Sequence, residues 1–194
     1  MKNNKKDTIN IAVFGAIRPL KNHLIQAISA IQFANEEGLK LYFHINGTRI
    51  ENNGDPVLKN LRELFEGQEK HELVEHCWME HDKFVELLQS MDICMQVSFS
   101  ETYNIVTADA VNGLVPVVVS PELRWVFGLF KANPVDSNNI VSKLRFTYYT
   151  EGLGLEYINK GMLWWNSFKA EVSWMEYFTQ EGMCKSCGCV DCTC

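Results

Sequence analysis

Residues 91–121 read MDICMQVSFSETYNIVTADAVNGLVPVVVSP, and this segment says most about how the chain folds. Its pattern predicts an apolar strand, a polar turn, a helix, a glycine stop and a second apolar strand: Ile93–Val97, Ser98–Thr102, Tyr103–Val111, Gly113 and Val115–Ser120. A strand, a helix and a strand of these lengths form a parallel crossover unit. Ligands of such sheets bind at the carboxyl ends of the strands, where the helices begin. We therefore expect functional residues in the polar turn, which carries Glu101.

The same alternation of strand and helix patterns fills the chain before and after this segment. Three apolar runs predict further strands, and four segments with helical spacing predict helices: Ile9–Gly15, Lys40–Gly47 and Glu72–Met79 for the strands, and Asn22–Glu37, Asp55–Phe65, Asp82–Met91 and 136–149 for the helices. Asp55, followed by Pro56, is expected to cap its helix. The alternation predicts an α/β fold with a doubly wound parallel sheet, Rossmann-like, over residues 8–150.

Composition narrows the class of protein. The chain has 194 residues, 46% of them hydrophobic, which suits one well-buried domain. A net charge of -6 and a pI near 5.4 argue against nucleic acid as a partner. No apolar run is long enough to span a membrane, and the polar start MKNNKKDT has no signal-peptide core, so we expect a cytoplasmic protein. Cys77 and Cys94 lie in apolar strand patterns and are expected to be reduced core residues.

The motif SETYNIVTADAVNGLVPVVVS, residues 100–120, resembles the nucleotide-sugar-binding, C-terminal half of GT-B glycosyltransferases. The likeness is to the retaining, glycogen-synthase-like enzymes, and it covers roughly Ile9 to Tyr149. It implies that Glu101 holds the sugar of a nucleoside-diphosphate sugar and that Asp109, eight residues on, holds the ribose hydroxyls. It also implies glycosyl transfer without a further cofactor. The acceptor half of such an enzyme is missing here or supplied in trans.

The loop after the first strand, GAIRPLKN, resembles the phosphate-binding loop of the same enzymes. Gly15 and Lys21 fall in register, while the position of the family's arginine is taken by Ala16, so Arg18 is a possible substitute. Lys21 is expected to neutralise the departing diphosphate, because a cation is needed there. An ordinary exposed lysine is the alternative.

Two further contacts with the donor are predicted. The backbone N–H groups of Tyr103, Asn104 and Ile105 would face the diphosphate at a helix N-terminus, where the helix dipole favours an anion. The resembling enzymes usually carry glycine in this turn. Trp78, at the end of the third strand, could stack on the base, or it could simply pack against the sheet.

The C-terminal part has two features of its own. Residues 151–181 are rich in aromatic side chains at helical spacing, which predicts an extra helix that either packs on the chain's own sheet or docks on a partner. That partner would be an acceptor-domain protein or a second copy of the chain. Residues 182–194 form a cysteine-rich tail whose thiolates could bind zinc: Cys184, Cys187, Cys189, Cys192 and Cys194. An unstructured, oxidation-prone end is the alternative.

Three functions therefore remain open from the sequence. The chain could be the donor-binding component of a glycosyltransferase, with Lys21 and Glu101 as its catalytic residues. It could bind nucleotide sugars without turnover. It could also retain the fold only as an interaction scaffold, with the aromatic helix and the tail as its working parts. The absence of Gly-x-Gly-x-x-Gly and Gly-Lys-Ser/Thr motifs argues against dehydrogenase and P-loop functions.

Overall fold

The computed structural model describes residues 7–181, with side chains through Tyr177. Five strands and six α-helices alternate along this part of the chain. The strands are β1 (Thr8–Val13), β2 (Lys40–Ile45), β3 (Glu72–Glu75), β4 (Ile93–Gln96) and β5 (Val117–Val119). The helices are α1 (His23–Glu37), α2 (Asp55–Glu66), α3 (His81–Gln89), α4 (Ile105–Asn112), α5 (Ser137–Thr150) and α6 (Glu156–Glu181).

All five strands are parallel and lie in the order β3-β2-β1-β4-β5. This order is the doubly wound arrangement that the sequence predicted, so the predicted fold class is confirmed. The order reverses between β1 and β4, and the loops that follow these two strands diverge there to open a crevice. The loop after β1 carries GAIRPLKN and the turn after β4 carries Glu101, so both predicted motifs meet at this crevice.

Both faces of the sheet are buried, as expected for a parallel sheet with helices on each side. Alternate residues along β1 and just after it show the division, because Ile11 and Val13 belong to one core cluster while Ala12 and Phe14 belong to the other. The first cluster includes residues of α1, α2 and α5, and the second includes residues of α3 and α4. The rigid double-sided core fixes the positions of the loops at the crevice.

Several element boundaries differ from the prediction. Gly54, not Asp55, is the N-cap of α2, and a Cβ at Gly54 would lie 2.0 Å from the carbonyl oxygen of Ile17. Only glycine allows that approach. Strand β3 ends at Glu75, and Cys77 beyond it is exposed. The prediction that Cys77 is a core residue is therefore wrong, whereas Cys94 is buried as expected.

Helix α6 begins against α4 and then leaves most of its aromatic side chains in solvent. Leu155 and Leu163 pack at the edge of the second core cluster, and the side chain of Asn159 is buried and accepts a hydrogen bond from Phe127 N at 3.0 Å. Further along, Trp164 is 66% exposed and Phe168 45% exposed. The prediction that the aromatic residues pack on the chain's own sheet is therefore wrong for most of them. The cysteine-rich tail predicted to bind zinc lies outside the described residues.

Candidate functional site

The loop after β1 begins with a glycine that the backbone requires. Gly15 has φ 112°, which a residue with a side chain adopts only with strain, and its N–H donates to Asn46 Oδ1 at 2.7 Å. The bond ties the end of β1 to the end of β2. The role of Gly15 in binding a phosphate stays a prediction.

Side chains of the α1 start join this loop to the turn after β4. Asn22, in a left-handed conformation with φ 59°, donates from Nδ2 to Val97 O at 3.1 Å and to Pro134 O at 2.9 Å. Gln26 donates to Lys21 O at 2.8 Å and accepts from Val97 N at 2.9 Å. These bonds are almost fully shielded from water, so they hold the two loops in one geometry.

Lys21 and Glu101 meet in the crevice. Lys21 Nζ donates to Glu101 Oε1, and the side chains of the pair are only 11% and 9% exposed. Burial lowers the pKa of Lys21 from its usual 10.5 to about 8, and the charges of Arg18 and Arg49 add to the lowering. The charge of the Glu51 carboxylate raises the pKa of Lys21 and acts in the opposite direction. The two residues predicted to be catalytic therefore form one ion pair, which sequence reasoning did not foresee.

Asn104 orients Glu101 and starts α4. Its Nδ2 donates to Glu101 Oε1 at 3.0 Å and to Gln96 Oε1 at 2.9 Å, while its Oδ1 accepts from Thr107 N at 2.9 Å. The backbone of Asn104 has φ 57°, a conformation that favours glycine and that asparagine tolerates better than most residues. Asparagine thus adopts this backbone conformation while its side chain caps α4 and orients Glu101.

The start of α4 lies two residues later than predicted, at Ile105. The orientation of the Tyr103, Asn104 and Ile105 N–H groups toward a diphosphate stays a prediction. Tyr103 precedes the helix, and its carbonyl oxygen accepts a bond of 2.9 Å from Trp125 Nε1.

A cavity of about 310 Å³ opens beside this turn. Four predicted donor-binding residues line it together: Gly15, Trp78, Ile105 and Asp109. Asp109 Oδ2 lies 3.1 Å from His81 Nε2, and Trp78 is 75% exposed, so its ring is available to a ligand. The volume and the mostly apolar lining, with a few polar groups, suit a small organic ligand such as a nucleoside.

A second cavity, of about 240 Å³, lies at the other side of the phosphate loop. Arg18, Lys21, Asn52 and Ser100 are among its lining residues. Arg18 Nε lies 3.8 Å from Glu51 Oε2, and Arg49 Nε donates to the other oxygen of Glu51 at 2.9 Å. Lys21 thus lies next to a group of charges that the β2–α2 loop brings to the crevice.

Three residues of the crevice were missed from the sequence. His23 is 1% exposed, and neither ring nitrogen has a hydrogen-bond partner among the described residues; burial, with the charges of Lys21 and Arg18, lowers its pKa to about 4. His81 contacts Asp109, and Arg49 lines the larger cavity. The signal for Arg49 and His81 was their position just after a predicted strand or at a helix start, where ligand-edge residues lie.

The described part of the chain shows neither a metal site nor a membrane span. Among residues 7–181, no three His, Cys, Asp or Glu side chains come together in a metal-binding cluster. No helix in this range is both long and apolar enough to cross a bilayer.

Comparison with known proteins places the fold. No family model and no curated protein sequence matches the chain. Among solved structures, a trehalose-6-phosphate structure from E. coli bound with UDP-2-fluoro glucose superimposes with a TM-score of 0.67 at 12% identity, covering 90% of this chain and 44% of that one. The chain therefore spans less than half the length of that protein.

Two shorter structures match as well. The C-terminal domain of the glycosyl transferase group 1 protein LpcC from Francisella tularensis has a TM-score of 0.63 at 15% identity, covering 74% of this chain and 80% of that one. The catalytic domain of the cholesterol-α-glucosyltransferase of Helicobacter pylori has a TM-score of 0.59 at 15% identity, covering 80% and 94%. The fold is thus that of the C-terminal half of a GT-B glycosyltransferase.

Proposed function

We propose that this chain binds a nucleoside-diphosphate sugar in the crevice between β1 and β4 and acts as the donor-binding component of a glycosyltransferase. The observation that carries the proposal is the cavity of about 310 Å³, because it gathers Gly15, Trp78, Ile105 and Asp109 from three separate segments of the chain. These residues were predicted separately: Gly15 and Asp109 from motif positions, Ile105 from the helix start and Trp78 from the end of the third strand. Solved proteins of this fold include one with a UDP-sugar analogue bound.

The roles of the residues follow from their places. Asp109 is in the larger cavity and is suited to bind the ribose hydroxyls, with Trp78 beside it available to the base. Lys21 borders the smaller cavity, where its ammonium would stabilise the departing diphosphate. Glu101, held by Asn104, would then exchange its bond with Lys21 for one with a sugar hydroxyl.

Transfer requires an acceptor site, and we propose that it is supplied from outside residues 7–181. The described residues provide the donor side of the site, and water must be excluded from the reacting centre. The E. coli structure has more than twice the length of chain that is matched here. In this proposal the mechanism retains the configuration of the sugar, as in the family that the motif resembles.

Calorimetry with UDP-glucose, GDP-mannose and ADP-glucose tests donor binding. We expect one of these donors to bind the wild-type chain, and Lys21→Ala to weaken that binding by about tenfold or more, because a charge-assisted contact to phosphate is lost. Lys59→Ala is the matched control, since Lys59 is exposed on α2 and pairs with Glu63. It should bind as the wild type does.

The same experiment separates the alternatives. If the wild type binds none of the three donors, the donor-binding proposal fails and the interaction scaffold is favoured. If it binds a donor, mixing with candidate acceptor-domain proteins and assaying release of the nucleoside diphosphate distinguishes an enzyme component from a module without turnover.

A further inference from the structure

The phosphate loop, residues 15–22, has alanine where the loop that it resembles has an arginine. Ala16 stands at the arginine position and is only 4% exposed, so even its methyl group contributes to the core. Arg18, two residues later, lines the smaller cavity and does not line the larger one. A cation for the part of the crevice between Lys21 and the larger cavity must come from elsewhere in the chain.

The loop between β2 and α2, residues 46–54, is joined to the phosphate loop along its backbone. Ile17 N donates to Arg49 O at 2.8 Å, Glu51 N donates to Ile17 O at 3.1 Å, and Ile17 forms a parallel bridge with Ile50. Gly54 closes the loop, because its backbone approaches the Ile17 carbonyl too closely for any side chain. The position of Arg49 is therefore set by the phosphate loop itself.

Arg49 extends from this joined loop into the larger cavity. It lines that cavity together with Gly15 and Asp109, and its positive charge reaches Lys21, where it contributes to the lowered pKa of the lysine. The two joined loops, residues 15–22 and 46–54, carry three cations, Arg18, Lys21 and Arg49, and one carboxylate, Glu51. Glu101, which pairs with Lys21, and Asp109 lie on the α4 side of the crevice. In a chain of net charge -6, the excess of positive charge on the two joined loops favours an anion beside them.

We propose that Arg49 is a diphosphate-binding residue that replaces, from a different loop, the arginine absent at position 16. The proposal rests on the proposed function and assigns Arg49 to the phosphates between the nucleoside and Lys21. Its guanidinium, now bonded to Glu51, offers a planar set of donors suited to two phosphate oxygens. The joined backbone fixes the position from which the Arg49 side chain extends, so the contact costs little ordering of the loop.

Binding of UDP, GDP and ADP to the full chain tests this assignment by calorimetry. Arg49→Ala should weaken binding of the nucleotide by about tenfold relative to the wild type. Arg49→Lys should weaken binding less, because lysine keeps the positive charge although it lacks the planar fork of donors. Arg62→Ala is the matched control: Arg62 is also an exposed arginine paired with a glutamate, Glu75, and it lines neither cavity. It should bind as the wild type does. Thermal unfolding of each variant checks that the fold is unchanged.

The outcomes separate this inference from the proposed function. If the wild-type chain binds none of the three nucleotides, both fail. If the wild type binds and Arg49→Ala binds within twofold of it, only the role of Arg49 fails. An equal loss in Arg62→Ala, or a loss that Arg49→Lys does not reduce at all, would also overturn it, since neither result depends on a charge at the cavity.

Discussion

Polar side chains are buried in the crevice between β1 and β4, whereas aromatic side chains are exposed on the outer part of α6, from Trp164 onward. In the crevice, charged and polar groups such as Lys21, Glu101 and Asn104 are withdrawn from water and bonded to one another. On α6, the rings of Trp164 and Phe168 stay largely in water and stack on each other at 5.7 Å. Burying polar groups and exposing aromatic rings both cost free energy. The packing of the sheet requires neither.

The two regions differ in how far the chain itself shields their side chains from water. Polar groups in the crevice satisfy each other through a network that spans three segments of the chain, so the region is complete as a rigid surface. The aromatic rings of α6 contact one another but stay largely exposed, and patches of this kind are typical of surfaces that contact other molecules. The predictions below test how strongly the crevice depends on its pairing and how little the fold depends on the outer part of α6.

Lowering the pH should have the largest effect on the free energy of unfolding. The pKa of His23 is lowered to about 4, mainly by burial, and the pKa of His44 is lowered to about 4 by burial and by His76, with Asp92 acting against it. Between pH 6.5 and 4 the unfolded chain therefore binds more protons than the folded one, so stability falls as the pH falls through this window. Each ring contributes on the order of 3 kcal/mol to the free energy of unfolding over the window.

Urea unfolding at a series of pH values measures this loss. His23→Leu should remove part of the pH dependence between pH 6.5 and 4, because His44, His71 and His76, whose pKa values burial also lowers, still titrate. A wild-type stability that is flat across this window would contradict the assignment of both rings as neutral in the folded protein.

Breaking the ion pair of the crevice should have the next largest effect. Lys21→Met leaves the nearly buried Glu101 carboxylate without its cation and should cost about 2 to 3 kcal/mol of unfolding free energy at pH 7. The double variant Lys21→Met with Glu101→Gln should recover most of that cost, because no unpaired charge remains. A double variant that is as unstable as the two single losses added together would show that the pair is not coupled.

Changes on the outer part of α6 should have the smallest effect. Trp164→Ser should alter the free energy of unfolding by less than about 0.5 kcal/mol, since the ring is mostly in solvent. Leu163→Ala, at the preceding residue, which packs at the core edge, should cost about 1 kcal/mol or more. Chemical unfolding of both variants at two protein concentrations measures this. A large, concentration-dependent loss for Trp164→Ser would mean that a second copy covers the ring.

Much of the fold could be predicted because its signals are local. The apolar runs of β1, β2 and β4 and the helical spacing of α1 are read within a few residues, and they predicted the parallel sheet and its ligand edge. Helix ends were less accurate: α4 begins at Ile105 because Asn104 adopts a left-handed backbone and caps the helix with its side chain. Hydrophobic periodicity along the sequence does not reveal such a backbone conformation.

The candidate site was predictable only in part, for the same reason. Gly15, Asp109 and Lys21 were found because they occupy motif positions beside strands. The pairing of Lys21 with Glu101, 80 residues apart, and the approach of Arg49 to the phosphate loop depend on which loops the sheet order brings together. Neither could be read from spacing along the chain.

The sequence by itself determined the alternation of strands and helices, the glycine at the end of β1 and the edge at which ligands are expected, because hydrophobic periodicity and backbone preference act between near neighbours. Only the tertiary structure decided which charges meet in the crevice and which rings of α6 stay in solvent. Those outcomes depend on the strand order β3-β2-β1-β4-β5, which places distant loops side by side and leaves the end of α6 beyond the core.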